Sequence, residues 1–137
     1  MPLRPDLRAA YEKALYVVLG APDLVIRIGE RNADLDDLLD ADGEETAAFL
    51  TAANPNGILQ GKAENELARA ALHQVLADEG HICYVGEGRD PEGDWPAEPS
   101  ILALGISRHE AEVIGRSYEQ NAIVFIERGK PPELVVL

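Results

Sequence analysis

Apolar residues recur at helical spacing in some stretches of this chain and run together or alternate in others, and the changes of spacing mark its elements. Asp6 can cap a first helix whose Leu7, Ala10, Tyr11 and Ala14 share one face. Residues 15–19 then read as a strand, Gly20-Ala21-Pro22-Asp23 as a turn, and residues 24–28 as a second strand ended by Gly29. Asn32 caps a short acidic helix through Leu39, and Gly43 stops it. Residues 46–52 are apolar on both faces, which predicts a central third strand. A long helix is expected over 63–79, closed by Gly80, with Leu67, Ala71, Val75 and Leu76 facing inward. Residues 82–85 read as a strand, 86–99 as a Gly-, Pro- and acid-rich loop, and 101–104 as a strand. Ser107-Arg108-His109-Glu110 is a capping box, opening a helix to Tyr118. Strands over 122–126 and 134–137 complete the pattern. The order α-β-β-α-β-α-β-β-α-β-β predicts one α+β domain over residues 1–137. We expect a mixed sheet of about six or seven strands with three or four helices.

Strand directions follow from this order if each helix packs back across the sheet. Take the end of the third strand, at Thr51 and Asn54, as the top. The long helix descends, the strand at Ile82 rises, and the 86–99 loop lies at the top. The strand at Ile101 descends, the capping-box helix rises, and Gln120-Asn121 start the next strand at the top. Thr51, Asn54, Asn65, Glu87, Trp95, Glu98, Ser100, Gln120 and Asn121 are therefore expected at one end of the sheet. Loops at one end of a rigid scaffold are a common place for a binding site. Amides and hydroxyls at the ends of buried strands must also be satisfied, by a ligand or by the protein itself.

Composition narrows the partners. The 137 residues carry a formal charge of −13, with 46% hydrophobic and 27% charged residues. That charge argues against binding nucleic acid through its phosphates and against an anionic membrane surface. The acids are spread over helix faces, so a solvated, solubilising surface accounts for them, and a basic protein partner is the sharper alternative. No apolar run reaches the roughly 20 residues of a membrane span. The N-terminal residues lack an apolar signal core, and the one cysteine, Cys83, can make no internal disulfide. Both fit an expectation of the cytoplasm.

Several chemical motifs are approached and missed. Gly57-Ile58-Leu59-Gln60-Gly61-Lys62-Ala63 has three residues between its glycines where a phosphate-binding loop needs four, and Ala63 where that loop needs Ser or Thr. Asp40-x-Asp42-Gly43 resembles part of a calcium loop, but Leu38 and Phe49 stand at the carboxylate positions. His73, His81, His109 and Cys83 show no zinc spacing, so no metal or cofactor is expected; each histidine reads as a surface residue and Cys83 as a small buried one. No nucleophile elbow exists, and Ser100 and Ser107 lack a nearby histidine. Glu87 and Glu98 are the acids to consider for general acid or base work, since a carboxyl beside Trp95 can have a raised pKa. Holding the loop closed is the plainer role for Glu98. A purely structural network is the plainer role for Asn54, Asn65, Gln120 and Asn121.

These strings also carry a family likeness. Ile28-Gly29, Thr51-Ala52-Ala53-Asn54-Pro55, Glu64-Asn65, Gly88, Trp95-Pro96-x-Glu98-x-Ser100 and Gln120-Asn121-Ala122-Ile123 together resemble a bacterial family catalogued as domain of unknown function 3293, nearly end to end. The family pattern looks like Thr-Ala-Trp-Asn-Pro, whereas this chain has Ala53 in the aromatic place. If relatives stack that aromatic on a ligand, this chain lacks the contact or supplies it from Trp95. The resemblance implies a fold and a residue set, and no activity.

Three functions stay open on this reading. The leading one is a module for a small polar ligand, read by Thr51, Asn54, Asn65, Ser100, Gln120 and Asn121 and covered by Trp95. The second is a hydrolase-like enzyme on the same pocket, with Glu98 or Glu87 as acid or base. The third is an acidic protein-interaction module whose amide network is purely structural.

Overall fold

A computed structural model describes residues 3–20 and 22–137. Ala21, in the turn expected at 20–23, and the first two residues of the N-terminal segment lie outside the described residues. Four helices and seven strands follow in the expected order: α1 (Pro5–Lys13), β1 (Leu15–Val18), β2 (Leu24–Ile26), α2 (Ala33–Ala41), β3 (Thr46–Thr51), α3 (Lys62–Asp78), β4 (Ile82–Arg89), β5 (Glu98–Leu104), α4 (Arg108–Ser117), β6 (Ala122–Glu127) and β7 (Glu133–Val136). A short 3-10 turn, Pro55–Gly57, lies between β3 and α3.

Local chemistry sets most of the boundaries. Pro5 at the first helical position opens α1 one residue before the expected cap, so Asp6 sits in the first turn instead. The Asn32 side chain accepts from the Leu35 amide at 3.1 Å, and Ser107 accepts from the Glu110 amide at 3.1 Å, as their cap positions require. The return half of the capping box is not made. Glu110 reaches instead to the His81 ring, whose other nitrogen lies 3.1 Å from the Leu104 carbonyl. His81 is therefore no surface residue: its side chain is 11% exposed and ties the start of β4 to α4.

The strands form one sheet in the order β2-β1-β4-β5-β3-β6-β7, antiparallel at every pairing. This corrects the expected mixed sheet. α3 does join two strands of the same direction, β3 and β4, but β5 lies between them. α4 likewise joins β5 and β6 across β3. Each crossover thus leaves a gap that an antiparallel strand fills, and the predicted directions survive. β3 has a neighbour on each side and four consecutive buried residues, as its apolar run demands.

Both faces of the sheet are covered. On one, Leu72 and Leu76 of α3 and Ala111 and Ile114 of α4 pack on Ala48, Leu50, Ile101, Ala103, Ile123 and Phe125. On the other, Leu35 and Leu39 of α2 pack on Tyr16, Ala47, Phe49, Leu102, Leu104 and Val124. The inward face expected for α3 is turned. Leu67 and Val75 are 74% and 40% exposed and Ala71 is exposed, whereas Asn65, Leu72 and Leu76 are buried. These three recur at helical spacing, with a polar residue at the head of the stripe. Cys83 is half-buried, its thiol pushed up by burial. No helix among the described residues is long and apolar enough to cross a membrane.

Candidate functional site

The β4–β5 hairpin is longer than expected. Residues 86–89 continue β4 and residues 98–99 begin β5, so Glu87 and Glu98 stand on strands instead of in a loop. Their register decides their surroundings. Gly88 pairs with Glu98 and Glu87 with Pro99, and side chains alternate between faces along a strand. Glu98 therefore lies on the face of Ser100, Leu102 and Tyr16, and Glu87 on the opposite one. The two acids are not a pair. Glu87 is engaged by Arg89, whose Nε donates to Oε1 at 2.5 Å.

Asn54 organises the top of the sheet. It follows β3 in the left-handed region, at φ 47°, which asparagine tolerates better than most residues. Its side-chain carbonyl accepts from the Gln60 amide at 2.9 Å and from Asn65 Nδ2 at 3.0 Å, and its own amide donates to Asn65 Oδ1 at 3.1 Å. Its Nδ2 donates to Glu98 Oε2 at 2.7 Å. One buried side chain thus joins the β3 end, the loop before α3, the first turn of α3 and the start of β5.

The remaining polar residues contact backbone or, for Asn121, another side chain. Thr51 Oγ1 donates to the Pro99 carbonyl at 2.9 Å and accepts from the Ala53 amide at 3.0 Å. Ser100, 1% exposed, donates to the Glu98 carbonyl at 2.9 Å. Gln120 Nε2 donates to the Ala53 and Tyr118 carbonyls at 2.9 and 3.1 Å. Asn121 Nδ2 lies 3.4 Å from the Tyr11 hydroxyl. Among the described residues no buried side-chain nitrogen or oxygen lacks a partner. Ala53 is fully buried and lines none of the cavities at this end, so the place of the family's aromatic points into the protein here.

Two cavities flank Asn54. One, of about 140 Å³, is lined by Tyr11, Asn54, Leu59, Trp95 and Glu98. The other, of about 350 Å³, lies toward Lys62, Asn65, Glu66 and Glu87. Asn121 lines neither; it borders a third recess with Arg4 and Asn56. In the smaller cavity burial raises the Glu98 carboxyl above the ordinary range, and the hydrogen bond from Asn54 opposes that only in part. Burial also raises the Tyr11 hydroxyl, which the Asn121 amide partly offsets and the charge of Glu98 increases. The Tyr16 hydroxyl, donating to the Tyr11 carbonyl at 2.6 Å, fixes the helix end over this cavity.

Tyr11 and Leu59 were not among the residues expected at the site. Tyr11 read simply as part of an apolar helix face. The available signal was strand direction: β1 is antiparallel to β4, so it starts at the end where β4 finishes, and α1 delivers Tyr11 there.

Fold and site together define a small α+β protein with a seven-stranded antiparallel sheet and an aromatic-walled, carboxylate-bearing cavity at one sheet end. The chain belongs to the family described as protein of unknown function, domain of unknown function 3293, whose model matches residues 50–123. Every site residue expected from the sequence lies in that span, while Tyr11 and the Ile28-Gly29 string lie outside it. No curated protein and no solved structure matches the chain.

Proposed function

We propose that this protein binds a small polar ligand in the 140 Å³ cavity, with Glu98, Asn54 and Tyr11 as its polar contacts and Trp95 and Leu59 as its walls. The convergence carries this reading: a half-buried acid, an amide and two aromatic side chains arrive from β5, the β3–α3 loop, α1 and the β4–β5 turn on one concave space. A concave, largely apolar space with a few convergent polar groups is the usual form of a ligand site. In this reading Thr51, Asn65, Ser100, Gln120 and Asn121 hold the walls and do not touch the ligand. A thermal-shift screen against sugars, nucleotides, amino acids and metal ions tests it. A compound that raises the melting temperature of the native protein and has no effect on Trp95→Ala supports the reading, because selective binding stabilises the folded state. Hits that persist unchanged in Trp95→Ala place binding elsewhere and overturn it.

Acid–base catalysis in the same cavity is a second reading, favoured by the raised Glu98 carboxyl beside a tyrosine. Glu98→Gln would then retain binding and lose turnover. Glu87, on the other face and bound to Arg89, has no part in it. We assign the protein to the cytoplasm on its single, half-buried cysteine.

A further inference from the structure

Among the described residues no cation pairs with Glu98. Its one hydrogen-bonding side chain is the neutral amide of Asn54, and among the described residues no lysine, arginine or histidine lines its cavity. Several other acids have a cation: Glu87 with Arg89, Glu112 with Arg108 and Arg116, Asp40 and Glu45 with Arg128. With 25 acids to 12 basic residues, cations are the scarcer partner, and the one placed deepest at the sheet end has gone without. A half-buried carboxylate left without a cation carries a desolvation cost, so its position is explained if something else supplies the charge.

The walls agree on what that is. Two aromatic side chains, Tyr11 and Trp95, line the same small space, and aromatic rings attract cations through their negative faces. Leu7, Ala10 and Leu59 complete an apolar rim suited to a short hydrocarbon stem. Among the described residues no charged donor lines this cavity to receive a phosphate or carboxylate. The overall charge of −13 raises the local concentration of cations and repels anions.

We propose that the ligand of this cavity is a small organic cation, an ammonium or guanidinium head on a short apolar stem, with the head on Glu98 and between Tyr11 and Trp95. The assignment rests on the cavity being a ligand site at all, and the test separates the two claims. Trp95 is the chain's only tryptophan, so all of its indole emission, and its single indole N–H resonance, report from this cavity. Butylammonium, 1-butanol and butyrate, matched in length and differing in charge, would be titrated against the native full-length protein at constant ionic strength. The expected result is a saturable Trp95 shift with butylammonium, about tenfold weaker binding of butanol and none of butyrate. In Glu98→Gln the preference of butylammonium over butanol should disappear. Equal or tighter binding of butanol, or preference for butyrate, overturns the cation and leaves a binding cavity. No Trp95 response to any of the three, with the protein folded by its amide spectrum, overturns both claims. The charge series on the native chain decides the matter even if Glu98→Gln fails to fold.

Discussion

Gly86 and Gly88 lie two residues apart on the same face of β4, and the structure treats them differently. A Cβ added at Gly86 would stand 2.6 Å from the Val17 carbonyl oxygen and 2.9 Å from the Phe49 ring, whereas one added at Gly88 meets nothing within 4 Å. Phe49 in turn packs edge-on to Tyr16, with ring centroids 5.4 Å apart, beneath the cavity. Gly86→Ala should therefore cost about 1–3 kcal/mol in urea unfolding, and Gly88→Ala much less. Equal losses would mean that strand propensity, and not the space left for Phe49, sets the requirement. Glu98 gives a second prediction at this scale. Its carboxyl is raised in the folded protein, so its favourable contribution is full below the unfolded value and lost as pH rises through the folded one. Its nearest titratable neighbours, Tyr11 and Tyr16, are themselves raised and remain neutral throughout. The melting temperature of Glu98→Gln relative to the native protein should accordingly climb between pH 4 and pH 7. A difference that stays constant over that range would contradict the burial of this charge. Both residues also show what a sequence conceals. Glycines at 86 and 88 beside acids and prolines look like loop chemistry, when the first of them serves a close approach inside a strand.

At the scale of elements, α1 stands apart from the other helices. None of its residues is buried, and it is held by the Tyr16 bond to the Tyr11 carbonyl, the Asn121 contact to the Tyr11 hydroxyl and an ion pair between Lys13 and Glu92. Segments with so little buried surface open at low free energy. Amide hydrogen exchange should find α1 the fastest-exchanging helix, and a ligand in the cavity should slow it, since Leu7, Ala10 and Tyr11 form one wall. Exchange in α1 that a saturating ligand leaves unchanged would place the ligand away from that wall. Helices and strands were otherwise legible from spacing, as were the caps at Asn32 and Ser107, because these signals are local. The face of α3 was not. Leu67, Ala71 and Val75 make a plausible apolar stripe, but the helix is rotated by Asn65, whose amide is locked to Asn54. A polar residue in a buried stripe is a tertiary fact, and no periodicity announces it. The mixed sheet failed for a related reason: helical crossovers set the directions of β3 and β4, while strand neighbours depended on where β5 inserted.

For the whole molecule, charge and topology are the governing features. An excess of 13 negative charges repels itself, and salt screens that repulsion over distances of about 8–10 Å. Raising sodium chloride from about 0.02 to 0.5 M should raise the melting temperature; a fall would mean that the surface ion pairs, such as those of Arg128 and Arg108, outweigh the repulsion. Much of the candidate site could be placed from sequence at this scale, because counting directions needs only the order of elements. Its division into two cavities could not, since it depends on which face of β4 and β5 each acid takes.

The place of β3 in the sheet has a further consequence, for the way the protein is made. Residues 46–51 leave the ribosome well before their two partners, β5, at 98–104, and β6, at 122–127. Until β6 has emerged, β3, with its four consecutive buried residues, has at least one open edge. Pairings this distant in sequence are slow to close, so folding should fall toward the millisecond-to-second end of the range for small domains. A nascent chain halted between β4 and β6 would offer that edge to any neighbour able to pair with it. The order that gathers Asn54, Trp95 and Glu98 at one end thus also leaves β3 waiting, open-edged or held by a chaperone, until β6 arrives.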